Sequence, residues 1–152
     1  MIRSSILTII FSLFLFGACG EESTTPVNEE QQKQKVINDL EQIALQINDL
    51  VGDATADQLN QCEMLPIGAK PCGGPWGYLI FSSADLDVNT LETLVETYTE
   101  LDHERNRILG LASDCAYVGP PQIELKENKC RGVGHSAWNP GDILEINNID
   151  ND

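Results

Sequence analysis

Ile67-Gly68-Ala69-Lys70-Pro71-Cys72-Gly73-Gly74-Pro75-Trp76-Gly77-Tyr78-Leu79-Ile80-Phe81-Ser82-Ser83 sets a proline and glycine stretch directly before an apolar run. Proline lacks an N–H and glycine resists regular structure, so the first half is an irregular loop up to Pro75. The aromatic and aliphatic residues that follow read as a β-strand. If that strand begins at Trp76, Trp76 and Tyr78 lie two apart and point to the same side. Their shared face is then either part of the core or an exposed platform for a sugar ring or a protein partner.

Helical patterns flank this centre. Upstream, Val36, Ile37, Leu40, Ile43, Ala44, Ile47, Leu50 and Val51 recur at spacings of three and four, predicting an amphipathic helix from about Glu29 to Val51. The pattern lasts little more than two heptads, which favours packing within the domain over a coiled coil. Gly52 and Asp53 end it, and a helical turn around Ala56 to Met64 is expected to carry Cys62 into the loop. Downstream, Asn89 and Glu92 have capping-box spacing. Leu91, Leu94, Val95, Tyr98, Leu101 and Ile108 mark the buried stripe of a second helix, which Gly110 stops.

Beyond it, Tyr117-Val118 and Gln122 to Leu125 read as short strands separated by Gly119-Pro120-Pro121. Glu127-Asn128 turns the chain into a return strand from Lys129 to Val133, and Ile143 to Ile146 suggests an edge strand. The expected class is α+β: two long amphipathic helices packed on a small antiparallel sheet.

The amino terminus carries an address. Arg3, an apolar stretch from Ile6 to Phe16 and small residues before Cys19 have the layout of a secretory signal, too short to span a bilayer. Leu15-Phe16-Gly17-Ala18-Cys19 resembles the lipobox of bacterial lipoproteins. That resemblance implies diacylglyceryl attachment to the Cys19 thiol, cleavage before it and acylation, including palmitate, of the new terminus. Phe16 departs from the usual aliphatic residue, and an ordinary secretory signal cut near Ala18 is the alternative. One acyl chain holds a protein only marginally, each buried methylene contributing about 0.8 kcal/mol, so several chains make a stable membrane anchor. Gly20 in place of an aspartate favours delivery to the outer membrane, facing the periplasm or exposed at the surface. Glu21-Glu22 resembles the acidic export signals of some Bacteroidota lipoproteins. Residues 1–18 are thus read as a signal peptide, 19–32 as a lipidated polar tether, and 33–152 as one small domain with a frayed acidic end.

The chain has 152 residues, 24 of them acidic and 9 basic, for a net charge of −15. Losing the leader removes only Arg3 from that balance, so the mature protein is one unit more negative. Such charge disfavours nucleic acid and anionic headgroups and favours solubility in a crowded envelope.

Cys62, Cys72, Cys115 and Cys130 remain after Cys19. An even number in an exported chain implies two disulfides, in one of three pairings. Cys62 with Cys72 and Cys115 with Cys130 is slightly preferred because it closes two short loops; crossed or nested pairings stay open. Zinc competes poorly, since no Cys-x-x-Cys pair is present.

The Gly-Ala-Lys-Pro-Cys-Gly-Gly-Pro-Trp-x-Tyr-Leu-Ile core, with Ser113-Asp114-Cys115 after the second helix, resembles a group of small Bacteroidota lipoproteins. The resemblance covers roughly Cys62 to Cys130 and implies membership without an activity.

No catalytic, cofactor or nucleic-acid motif stands out. His103, beside Asp102, Glu104 and Arg105, reads as a solvated residue on a polar helix face. His135-Ser136 does not make a triad, whose members must converge in space. Asp85-x-Asp87-x-Asn89 with Glu96 at the twelfth place matches the spacing of a calcium loop, yet Thr90 stands where that loop needs glycine, and a helix cap explains the same residues.

The expectation is a non-enzymatic envelope lipoprotein without a cofactor, held to the membrane through Cys19. Its partner is another envelope protein or a glycan. Two alternatives are a calcium-binding surface lipoprotein and a protease-inhibitor-like module that offers Met64, Leu65 or Lys70 from the Cys62 to Cys72 segment.

Overall fold

A computed structural model describes residues 26–149, which fold into three helices and two small sheets joined by two disulfides. The expected signal peptide, Cys19 and the start of the expected tether lie outside the described residues. Helix α1 spans Pro26–Val51. It begins earlier than the spacing of apolar residues suggests, taking up residues 26–32 of the expected tether. Proline suits a first helical position and Glu29 suits the positive end of the helix dipole. Further on, Val36, Leu40, Ala44, Ile47 and Val51 form the buried stripe.

After a single 3-10 turn at Leu59–Gln61, Cys62–Ile67 forms strand β1. This corrects the expectation of a turn running on to Met64. β1 pairs antiparallel with β2, Gly77–Ser82, and Cys62 stands opposite Ser82. Leu79, Ile80 and Phe81 are fully buried, as the apolar run demanded.

Helix α2, Val88–Leu109, is capped by Asp87, whose carboxylate accepts from the backbone N–H groups of Asn89 and Thr90. The cap is therefore Asp87 instead of the expected Asn89, because a carboxylate can accept from two exposed N–H groups at once. Gly110 closes the helix as expected. α1 and α2 pack against each other, and Leu91, Val95 and Tyr98 reach the core.

Residues 111–121 contain no strand, so the expectation for Tyr117-Val118 is not met. The hairpin after them is as expected. β3, Gln122–Lys126, returns as β4, Lys129–Val133, through Glu127 and Asn128, both at positive φ (53° and 58°). That pair of left-handed residues matches a two-residue turn to the twist of the strands. At Gly132 a side chain would lie 2.6 Å from the Ala137 Cβ and 2.8 Å from Ile80, so glycine lets the hairpin lean directly on the main sheet.

Strand β5, Ala137–Trp138, adds to β2 in parallel, giving the order β1-β2-β5. The sheet is thus not purely antiparallel. Trp138 meets the buried Tyr98 ring edge-on, with centroids 6.5 Å apart. The tail from Asp142 to Ile149 is a third helix, α3, in place of the expected edge strand. Asp142 accepts from the Asn139 N–H at 2.8 Å at its start, and Ile143 is driven fully into the core.

The disulfides join Cys62 to Cys130 and Cys72 to Cys115. The short-loop pairing is overturned. The β3–β4 hairpin packs against the main sheet, and this places Cys62 of β1 against Cys130 of β4. The 54–56 segment ties in the same strand, with Ala56 N–H donating to Asn128 and Cys130 N–H to Ala54.

Candidate functional site

The buried stripe of α2 changes character along its length. Leu91, Val95 and Tyr98 are apolar, but the next positions on that stripe are Asp102, Arg105 and Asn106, all buried. Beside His103, Asp102 and Arg105 read from sequence as part of a polar helix face; the structure buries both. A buried polar side chain must find a partner, and here the partner is the backbone of the Pro/Gly-rich loop.

The Gly68 N–H donates to Thr99 Oγ1 at 3.2 Å and the Ala69 N–H to Asp102 Oδ2 at 2.7 Å. Asn106 Nδ2 donates to the Ala69 carbonyl. Thr99, Asp102 and Asn106 lie three and four apart, so one helix face holds two consecutive loop residues. Arg105 approaches the other Asp102 oxygen at 2.7 Å and balances its charge. Gly68 sits at φ +76°, and a Cβ there would meet Trp76 at 2.8 Å and Asp102 at 3.2 Å, so only glycine fits this docking.

From that dock the loop reaches the chain after α2. Lys70 is only 5% exposed, and its ammonium donates to Asp114 Oδ1 at 2.9 Å and to the Ala116 carbonyl at 2.8 Å. Its nitrogen also stands 5.5 Å from the centre of the Trp76 ring. The Lys70 hydrogen bond, then that from the Ala116 N–H, hold the Asp114 carboxyl below the usual aspartate range. Two residues on, Cys72 is bonded to Cys115. Tyr78 completes the junction by donating from its hydroxyl to the Val118 carbonyl at 3.4 Å.

These contacts settle several expected roles. Cys62 and Cys72 do not close a loop, Met64 and Leu65 are half-buried in β1 against the core, and Lys70 is buried. That segment therefore does not present the side chains expected of an inhibitory loop. Trp76 lies just outside β2, so strand alternation does not govern its direction, and both Trp76 and Tyr78 are half-buried. Asp87 Oδ2 accepts from the Thr90 hydroxyl as well as capping α2, while Glu96 lies exposed two turns on. Among the described residues no three His, Cys, Asp or Glu side chains gather as metal ligands; of the residues with calcium-loop spacing, Asp85 and Asp87 precede α2 while Asn89 and Glu96 lie on it. His103 and His135 are exposed and lie on different elements.

A groove of about 780 Å³ runs between the loop and α2, walled by Pro66, Pro71 and Pro75 on one side and by Thr99, Glu100 and His103 on the other. Cys72 is oxidised and so offers no thiolate here, and Thr99 Oγ1 accepts from the loop backbone. The arrangement ties the Pro/Gly-rich loop to α2 and to the chain after it.

Sequence reasoning missed the buried roles of Asp102, Arg105 and Asn106, and gave Lys70 a different one, as an exposed residue of an inhibitory loop. The signal was present: continuing the spacing of Leu91, Val95 and Tyr98 lands on Asp102 and then Arg105. Comparison of the chain with models of protein families, with curated proteins and with solved structures finds no match.

Proposed function

We propose that this protein is a non-catalytic lipoprotein of the bacterial outer membrane, anchored through acylated Cys19, that serves as a binding or structural accessory to another envelope protein or a glycan. The observation that carries the reading is the run from Arg3 through the apolar stretch to Leu15-Phe16-Gly17-Ala18-Cys19. Two structural disulfides support it, since such bonds persist in an oxidising compartment. The resemblance of the Gly68 to Ile80 core to small Bacteroidota lipoproteins points the same way. Among the described residues no helix is long and apolar enough to cross a membrane, and the proposed attachment is through acyl chains. The non-catalytic part of the reading draws on the use of Asp102, Asn106 and Lys70, which are engaged in holding backbone and carboxylate groups.

Replacing Cys19 with Ala tests the anchor. Labelled palmitate should no longer enter the protein, and the precursor should stay uncut or be processed elsewhere. Unchanged membrane retention together with an unchanged mature mass would sink the assignment. Recovery of the wild-type lipoprotein with its membrane neighbours then identifies the partner.

A further inference from the structure

The two long helices arrange their surface charges differently. On α1 the exposed Lys35 and Asp39 pair one turn apart, so that opposite charges support the helix. From Val88 to Leu101, α2 carries only Glu92, Glu96 and Glu100 as charged residues, and all three are exposed. They stand four apart, on successive turns of one face. Like charges at that spacing repel and weaken a helix, and among the described residues none of the three has an ion pair or a hydrogen bond. The arginines of α2 answer other acids, Arg105 meeting Asp102 and Arg107 meeting Glu104.

This acidic ladder runs into the groove between α2 and the Pro/Gly-rich loop. Glu100 belongs to the helical wall, and Pro66, Pro71 and Pro75 face it from the other side. Lys70 also borders the groove but offers it no open cation, because its ammonium is held by Asp114 and the Ala116 carbonyl. Both walls are joined before any partner arrives: the Ala69 N–H donates to Asp102 and Asn106 donates to the Ala69 carbonyl. The loop closes on itself through the Lys70 N–H to the Gly74 carbonyl and the Gly73 N–H to the Lys70 carbonyl, each at 2.8 Å.

An apolar proline wall beside a row of open carboxylates selects among occupants. A sugar ring stacks on a flat aromatic face, and no Phe, Tyr or Trp lines the groove. A second copy of the chain, with a net charge of −15, brings the wrong sign. A metal ion needs carboxylates that converge, and among the described residues no three do. A lysine or arginine side chain satisfies both features, since its methylene stem lies along apolar surface while its charged head reaches a carboxylate. We propose that this groove, with Glu92, Glu96 and Glu100 as its charged rim, docks a basic segment of a partner protein. This rests on the reading of the chain as an accessory to another envelope component, and it chooses protein over glycan.

The test uses the full chain, purified oxidised in a neutral detergent, and a fluorescent peptide of alternating lysine and alanine. Saturable binding is expected at low ionic strength and should be lost as salt is added. Glu96→Gln combined with Glu100→Gln should weaken it at least about 10-fold without lowering the melting temperature, because the pair of changes removes a repulsion. Glu29→Gln combined with Glu30→Gln takes the same charge from the exposed start of α1 and should leave the affinity within about twofold. In nuclear magnetic resonance spectra the amides of Ala69, Gly73, Gly74, Glu100 and His103 should shift as the peptide is added. Absence of binding, equal weakening by the two double variants, or shifts spread along α1 would each overturn the proposal. Shifts of the groove amides produced by a chito-oligosaccharide and not by the peptide would give the groove to a glycan and overturn it too. None of these results alters the palmitate and retention readout at Cys19, so failure of the groove is distinct from failure of the anchor.

Discussion

The two disulfides make the same bond in opposite surroundings. Cys62–Cys130 is buried and welds β1 to β4, while Cys72–Cys115 is exposed and ties two irregular segments together. Their sequence separations, 68 and 43 residues, give nearly the same chain-entropy gain, about 4 kcal/mol each. Any large difference between them must therefore come from packing. At the buried bond the sulfurs are part of the core that carries Ile67, Leu79 and Ile80. At the exposed bond the neighbours are Lys70, Asp114 and solvent, and removing the bond leaves the lysine clamp in place.

Three measurements sharpen or break that contrast. The largest effect is expected for replacing Cys62 and Cys130 together by Ala, a loss of about 5 kcal/mol in denaturant unfolding, since a packing defect adds to the lost crosslink. The matching Cys72 and Cys115 double variant should lose only the crosslink itself, about 4 kcal/mol. Equal losses would show that the crosslink, not its surroundings, sets the cost.

Asp102→Ala comes next, at about 3 kcal/mol. It takes from Arg105 and from the Ala69 N–H the acceptor that they share inside the protein. A loss below about 1 kcal/mol, within the range of an exposed pair, would mean that the loop dock behaves as surface.

Acid produces the smallest effect, at the exposed end. Lys70 holds the folded Asp114 carboxyl below its usual range, so its contribution is fully present above the unfolded value of about 3.9 and is lost as the pH falls through the depressed one. The Ala116 amide, which donates to Asp114 at 3.0 Å, should report this by nuclear magnetic resonance. Asp114→Asn should abolish that titration. A midpoint at or above the ordinary aspartate value would remove the proposed hold on the loop.

Much of the framework was legible because its signals are local. The α1 stripe, the Gly77–Ser82 strand, the Gly110 stop and the Glu127-Asn128 turn each depend on residues a few positions apart. The errors were of another kind. Ile143 reads equally well in a strand or a helix, and the tertiary setting decided for the helix that buries it against α1. Asp102 and Arg105 look like surface residues until the loop docks on them.

The sequence by itself determined that there are four cysteines to pair, where the two long helices run, and that a glycine and proline loop precedes a buried strand. Local spacing and backbone chemistry suffice for these. Only the tertiary structure decided which cysteines meet, which charges are buried and which aromatic is left outside. Cys62 reaches Cys130 across 68 positions, and Lys70 reaches Ala116 across 46. Neither partner is marked by its own neighbours in the chain, because each meeting follows from how the helices, sheets and loops pack together.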